Sequence, residues 1–196
     1  MLLVAATPLA RTIGPVAVTD VDGRAWSLLS PPKGAIDLVF FVATDCPISN
    51  RYAPEIARIC SDYKTRGVRC FLAYTDVAAT PASVKKHRAE FKLTTVPAVI
   101  DKAYALTDAA GAKVTPEAAV FTTAGRVYHG RIDDTNPEIG KTRREATRHD
   151  VRLALDAVLA GKPIAEPETQ AVGCFIERVR VPGSDVPGSG VLVRGF

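Results

Sequence analysis

The chain has 196 residues and a net charge of +4 at pH 7, with 47% hydrophobic and 23% charged residues. This balance is typical of a soluble globular protein, and the length allows one domain with a sizeable core plus extensions. Acidic and basic residues are well mixed, which argues against a nucleic-acid partner. No run approaches the ~20 apolar residues that a membrane span needs.

The first segment, residues 1–13, is short, apolar and rich in small residues. It is compatible with the remnant of a secretory signal, although it lacks a positively charged start. The alternative is a segment that simply packs or frays. An exported and a cytoplasmic location therefore both stay open, and with them a stable or a transient role for any disulfide.

Two short alternating runs follow, at residues 16–20 and 25–29, and Asp22-Gly23 lies between them. Asp-Gly between two such runs is the strongest short-range signal for a β-hairpin. We therefore predict a small hairpin ahead of the main sheet.

The most informative stretch is residues 44–56. It follows an apolar run, residues 36–43, whose length and β-branched and aromatic content predict a buried strand. Pro47 suits the first position of a helix, which places Cys46 at or just before a helix N-terminus. Unpaired N–H groups and the helix dipole favour negative charge there, and cysteines in such positions have pKa values of roughly 3.5–7.5. We predict a reactive, redox-active Cys46; the alternative is a small buried core residue.

The residue pattern in the middle of the chain predicts alternating strands and helices. Cys60 falls on the apolar stripe of the helix that follows Cys46, and Cys70 falls in the next strand, so both are interpreted as structural. His87 is placed on the solvated face of a helix that begins after Thr80. The expected elements are a helix over 47–64, a strand over 68–74, a helix over 81–92, a strand over 96–100 and a short helix over 103–109.

These motifs resemble the thioredoxin-like superfamily, and in particular bacterial redoxin-domain proteins of the alkyl hydroperoxide reductase/thiol-specific antioxidant and periplasmic thioredoxin-like reductase branch. Cys46 matches the first cysteine of the Cys-x-x-Cys motif in that superfamily, and Ala53-Pro54 falls at the matching spacing. The resemblance implies an α/β thioredoxin-like fold over residues 14–163. Its central mixed sheet would carry helices on both faces.

Thr115-Pro116 resembles the segment in which a cis-proline faces the active cysteine and leaves neighbouring backbone groups free to pair with a substrate chain. A trans proline that starts an edge strand is the alternative. Ser49 stands where the family has its second cysteine, which removes the usual resolving thiol. With Cys46 as the catalytic residue, the resemblance implies substrate contacts at Thr44, Pro47, Ser49, Thr115 and Pro116.

The C-terminal third contains a hairpin near residues 122–132, then Asp133-Asp134, which we interpret as a polar loop and helix cap. A final helix is expected over 142–160, with a basic outer face that is solvated. Residues 164–196 form an extended tail that carries Cys174. Peroxiredoxins use a remote resolving cysteine, and this resemblance suggests that Cys174 resolves Cys46; a free tail cysteine is the alternative.

The resulting prediction is a thiol–disulfide oxidoreductase. Its partners would be a protein disulfide or thiol, or a peroxide, together with an external thiol reductant, and an oligomer is possible. The second candidate is a peroxiredoxin-like peroxidase, in which Cys46 becomes a sulfenic acid. Pro116 and Glu117 stand where peroxiredoxins place an arginine, which favours disulfide exchange. The third candidate is a non-catalytic thioredoxin-like binding module.

No cofactor or metal is predicted. The four cysteines, Cys46, Cys60, Cys70 and Cys174, show neither a zinc-like spacing nor a dense disulfide framework. A Cu(I) site would need two close cysteines and a histidine, and only Cys46 is suitably placed in the sequence.

Overall fold

The structure is a computed structural model that describes residues 14–178, so the expectations for residues 1–13 and for the end of the tail lie outside the described residues. A three-residue 3-10 turn, Lys64–Arg66, extends the first helix. In chain order the elements are β1 (Val16–Thr19), β2 (Ala25–Leu28), β3 (Ile36–Val42), α1 (Pro47–Tyr63), β4 (Val68–Tyr74), α2 (Pro81–Glu90), β5 (Ala98–Ile100), α3 (Ala105–Ala110), β6 (Val114–Thr115), β7 (Glu117–Thr122), β8 (Gly125–Gly130), α4 (Asp150–Leu159) and β9 (Cys174–Phe175).

Five strands form the central mixed sheet, in the order β5-β4-β3-β7-β8. β3 pairs in parallel with β4, which pairs in parallel with β5; β7 is antiparallel to β3 and to β8. β3 therefore lies at the centre, and all seven of its residues are buried. The predicted α/β thioredoxin-like architecture is confirmed.

The sheet separates two hydrophobic clusters, because successive side chains of a strand point to opposite faces. Leu38 and Phe40 of β3 pack with the buried residues of α1, α2 and α4. Val39 and Phe41 pack on the other face with Leu28 and residues of α3. The predicted hairpin β1–β2 is confirmed and covers this second face.

The final helix is shorter than the sequence pattern indicated, since α4 begins at Asp150 and not near residue 142. Asp134 holds the preceding loop in a non-helical path: its Oδ1 accepts the N–H of Thr147 at 2.7 Å and of Arg148 at 2.9 Å. Its Oδ2 pairs with Arg143. These side-chain acceptors replace the backbone bonds that a longer helix would need.

The basic face expected on this helix is also not simply solvated. Arg148 pairs with Asp150 at 2.6 Å and with Glu166 at 2.9 Å. Arg152 reaches Glu55 at 2.9 Å and so links α4 to α1. These arginines therefore form ion pairs that connect α4 with α1 and with the start of the tail.

None of the helices within residues 14–178 combines the length and the apolar character that crossing a bilayer requires.

Asp134 yields a stability prediction. Asp134→Ala should lower the free energy of unfolding by about 1–2 kcal/mol, because two N–H groups lose their acceptor. Burial opposes ionisation of Asp134, but hydrogen bonds from Thr147 and Arg148 and the charge of Arg143 lower its pKa overall. The stabilisation is therefore complete above the unfolded pKa of about 3.9 and is lost as the pH falls below it.

Urea unfolding of the wild type, Asp134→Ala and Asp134→Asn at about pH 7 and about pH 3 checks this prediction. Asn keeps an oxygen acceptor and should cost less than Ala at neutral pH. A difference between the wild type and Asp134→Ala that does not shrink in acid would contradict it.

Candidate functional site

Cys46 lies between the central strand and the first helix, as predicted. It is the N-cap of α1, its backbone is extended, and Pro47 occupies the first helical turn. The Cys46 side chain is only 1% exposed. Its Sγ accepts the N–H of Ser49 at 3.4 Å. This is a capping hydrogen bond, because the first amides of a helix have no acceptor within the helix.

The segment opposite Cys46 is the junction of β6 and β7. The Thr115–Pro116 peptide bond is cis, as predicted. Cys46 Sγ lies 3.1 Å from the carbonyl oxygen of Thr115 and, as a thiol, donates to it. The sulfur is therefore held between an acceptor on one side and the Ser49 amide on the other, so both its protonated and its ionised form have a partner.

The tail reaches the same point. β9 pairs antiparallel with β6, with Cys174 opposite Thr115 and Phe175 opposite Val114. Cys174 lies close enough to Cys46 for each thiol to shift the pKa of the other. The two cysteines predicted to act together are therefore neighbours, with free thiols.

The surroundings separate the pKa values of these two thiols. Burial opposes ionisation of Cys46, but its polar contacts with Cys174, the Ser49 amide and Thr115 together lower its pKa below the usual value. Burial raises the pKa of Cys174, and the neighbouring Cys46 and Asp45 raise it further. Cys46 is therefore the thiol that ionises first, and Cys174 keeps its proton.

A buried carboxylate fixes the strand that faces Cys46. Glu117 Oε2 accepts the N–H of Lys113 at 2.7 Å and of Val114 at 3.2 Å, which holds β6 in place. Its other oxygen lies 2.7 Å from His129 Nε2. Burial raises the pKa of Glu117, but the bonds from His129 and from the two amides outweigh it and lower the pKa overall. His129 thus lies against the buried Glu117 carboxylate, and its side chain is only 13% exposed.

The turn that carries Cys46 is held from the other side by a polar chain. Thr44 donates through its N–H to Asp76 Oδ1 at 2.9 Å and through its hydroxyl at 3.2 Å. Asn50 Nδ2 donates to the Thr44 carbonyl at 3.1 Å, and Asn50 Oδ1 lies 2.8 Å from His87 Nε2. His87 Nδ1 in turn lies 2.9 Å from the Tyr74 hydroxyl.

The expectation that His87 lies on a solvated face is therefore wrong. Its side chain is buried, at 7% exposure. The ring packs against Phe91, and its two nitrogens form hydrogen bonds with Tyr74 and Asn50. Burial lowers the pKa of His87, so the neutral form is favoured. Since Asn50 Nδ2 already donates to Thr44, its oxygen accepts from Nε2–H and the Tyr74 hydroxyl donates to Nδ1.

The structure places the predicted site residues in two groups. One group meets at a single point and consists of Cys46, Ser49, Thr115 and Cys174, with Pro116 next to Thr115 in the chain. Pro47 is exposed beside them, whereas the Thr44 side chain faces Asp76. The sequence analysis did not single out Asp76, Asn50 or Glu117 as parts of the site. Asp76 carried a signal, since it lies just beyond the carboxyl end of a predicted strand, where α/β sheets hold their functional groups.

The other two cysteines lie away from this point. Cys60 is buried in the core, and burial together with its neighbour Cys70 raises its pKa, which makes it a poor nucleophile. Within residues 14–178, no three His, Cys, Asp or Glu side chains converge as a metal site would require.

A protein-family model described as Redoxin matches residues 10–148. The chain belongs to the Redoxin family. This membership confirms, at a coarse level, the expected class of chemistry, an oxidoreductase that acts on thiols, disulfides or peroxides. No curated protein matches this redoxin.

Solved structures agree with the fold of this redoxin. An uncharacterised conserved protein from Geobacillus kaustophilus is 28% identical, with a TM-score of 0.77, and the match covers 89% of this redoxin and 94% of that chain. A hypothetical protein from Sinorhizobium meliloti 1021 is 25% identical, with a TM-score of 0.76 and coverages of 90% and 98%. A putative thiol:disulfide interchange protein DsbE from Chlorobium tepidum is 15% identical, with a TM-score of 0.59 and coverages of 79% and 99%, which supports the fold alone.

The proximity of the two thiols gives a prediction. Cys174→Ala removes a polar neighbour that lowers the pKa of Cys46, so the pKa of Cys46 should rise relative to the wild type. The measurement is the pH dependence of iodoacetamide alkylation of Cys46, followed by mass spectrometry of its peptide. Cys70→Ala, at the amino end of β4, serves as the control and should leave the midpoint unchanged. A midpoint that stays or falls in Cys174→Ala would contradict this effect of Cys174 on Cys46.

Proposed function

We propose that this redoxin is a thiol–disulfide oxidoreductase in which Cys46 is the attacking nucleophile and Cys174 is the resolving thiol. The observation that carries this proposal is the pairing of β9 with β6, which sets Cys174 against Cys46 and leaves the two thiols with opposite pKa shifts. A nucleophile must ionise readily, and a resolving thiol acts only after the mixed disulfide has formed.

The reaction proceeds in two exchanges. The Cys46 thiolate attacks one sulfur of a substrate disulfide, forms a mixed disulfide with it, and the second substrate sulfur leaves as a thiolate that takes up a proton. Cys174 then loses its proton and attacks Cys46 Sγ, so the first substrate sulfur leaves as a thiol. The substrate gains two electrons, and the enzyme is left with a Cys46–Cys174 disulfide.

An external dithiol completes the cycle. It attacks the Cys46–Cys174 disulfide, becomes oxidised itself and returns both cysteines to the thiol form. Thr115 and Ser49 support the exchange at Cys46, because the amide of Ser49 stabilises the thiolate and the carbonyl of Thr115 accepts from the thiol. Pro47 and Pro116 flank the reacting sulfur and would contact the substrate backbone.

Peroxide reduction is less well supported. Peroxide bound at a thiolate needs a fixed cation to stabilise the oxygen that leaves. Among residues 14–178, Cys46 Sγ accepts the Ser49 N–H and donates to the Thr115 carbonyl, and no arginine hydrogen-bonds to it.

The function is tested by comparing the wild type, Cys46→Ser and Cys174→Ser in insulin-disulfide reduction with dithiothreitol as reductant. The wild type should turn over and Cys46→Ser should lose all activity above background. Cys174→Ser should accumulate a mixed disulfide, because the resolving attack is missing; a non-reducing gel detects it. Cys60→Ser is the matched control, and it should still resolve the mixed disulfide.

Peptide mapping of the oxidised protein without reduction tests the pairing directly and should yield a Cys46–Cys174 peptide. A fully oxidised wild type that lacks this peptide would overturn the resolving role of Cys174. Peroxide consumption that depends on Cys46, without insulin reduction, would favour the peroxidase instead. No Cys46-dependent turnover in either assay would favour a binding module.

A further inference from the structure

The last described part of the tail lies across the site in two sections, which we call the tail strap (residues 167–178). Its first section is tied to β8: His129 donates its N–H to the Pro167 carbonyl at 3.0 Å, and Thr169 donates its N–H to the His129 carbonyl at 3.1 Å. The Thr169 hydroxyl lies 2.7 Å from the Tyr128 hydroxyl and accepts the Arg131 N–H at 3.1 Å. This section is firmly anchored.

The backbone of β8 also approaches the backbone of the tail strap closely at this point. A Cβ at Gly130 would lie 2.1 Å from the carbonyl oxygen of Thr169, so only glycine leaves room for the strap there. The bonds in this section involve buried Tyr128 and backbone groups of the sheet, and such bonds open rarely.

The second section is held more weakly. It consists of the two-residue strand β9, one backbone bond from Ile176 to the Lys113 carbonyl at 3.0 Å, and a bond from the Tyr104 hydroxyl to the Glu177 carbonyl at 3.0 Å. Arg178 forms an exposed ion pair with Asp108, and such pairs contribute little.

Phe175 adds little buried area to this section, because its side chain is 80% exposed. Ile176 is only partly buried against the second hydrophobic cluster, so the apolar contacts of this section are few. Few buried contacts and exposed bonds are the features of a segment that opens locally.

The second section nevertheless occupies the backbone edge of β6, whose Thr115 carbonyl accepts from Cys46 Sγ. Thr115 is paired with Cys174, and a Cβ at Gly173 would lie 2.1 Å from the Thr115 carbonyl oxygen. No second strand fits against Thr115 while β9 is there, and Cys46 is 1% exposed beneath it.

We infer that residues 173–178 are a displaceable strand that closes the site, and that a protein substrate reaches Cys46 by replacing β9 on the edge of β6. This inference rests on the proposed function and specifies its substrate class and its control. A small disulfide can react through minor openings, whereas an extended polypeptide must first displace the strand. The first section of the tail strap stays bound during this exchange, and residues 170–172 act as the hinge.

The test uses reagents of two sizes on the reduced protein. The rate of Cys46 modification is measured with iodoacetamide and with a maleimide carried on a long polyethylene glycol chain, and mass spectrometry or a gel shift reports the product. The ratio of the bulky to the small rate is compared among variants. Both reagents react with the thiolate, so a change in the pKa of Cys46 cancels in this ratio.

The full-length variants all carry Cys174→Ser, so that the position of the strand is what differs among them. Adding Gly173→Ala keeps the whole chain but removes the room that β9 needs against Thr115. A further variant ends after Ala165 and therefore lacks residue 174 together with the whole tail strap. Both should raise the ratio roughly tenfold or more over Cys174→Ser alone, since local closure by a few exposed bonds is worth at least that factor. Adding Gln170→Ala, in the exposed hinge, should leave the ratio unchanged.

An equal ratio in all variants would overturn the inference, and so would an equal rise with Gln170→Ala. If the shortened chain fails to fold, Gly173→Ala alone decides. The assay needs no turnover, so its result is independent of the proposed function. A raised ratio without a Cys46–Cys174 disulfide would support strand displacement while refuting the resolving role of Cys174.

Discussion

The contact between Cys46 Sγ and the Thr115 carbonyl, at 3.1 Å, is the constraint on which the rest of the site depends. It joins the carboxyl end of the central strand to the edge strand β6 across a sequence separation of 69 residues. The same carbonyl sets the position of Gly173, because a side chain there would collide with it. One backbone oxygen therefore constrains both the Cys46 sulfur and the tail segment that meets it.

Three carboxylates maintain this contact from a distance; Glu117 and Asp133 are buried and Asp76 is half-buried. Each accepts backbone N–H groups in the loops at this edge of the sheet, which short elements alone would not hold. Glu117 fixes β6, Asp76 fixes Thr44, and Asp133 accepts the Tyr52 hydroxyl at 2.7 Å and so joins α1 to the loop after β8. The hydrogen bonds to Glu117 outweigh its burial and lower its pKa, whereas burial and Asp45 raise the pKa of Asp76. Burying each carboxylate is unfavourable on its own, but together the three carboxylates determine the position of the Cys46 sulfur.

A structural feature could be predicted from the sequence when the interactions that cause it lie within a few residues of one another. Asp22-Gly23 identified the hairpin, and Pro47 placed Cys46 at the helix cap, because both effects act within a few residues. The roles of Glu117 and His87 were not predicted, since their partners lie on other elements and only the folded sheet brings them together. The start of α4 was placed too early because the charged residues between 142 and 149 fit a helical period, while Asp134 offers their amides a competing acceptor.

The replacement of the second cysteine by Ser49 is consistent with this geometry. In a Cys-x-x-Cys motif both thiols belong to one rigid turn, and the resolving thiol is always present. Here the Ser49 amide still donates to Cys46 Sγ, and in the proposed mechanism the second thiol comes from the tail. Under that proposal, placing the resolving thiol on a weakly held strand separates attack from resolution in space. A mixed disulfide would then persist while the strand is displaced and be released when the strand returns, so the lifetime of the intermediate would depend on the tail and not on the chemistry of the helix.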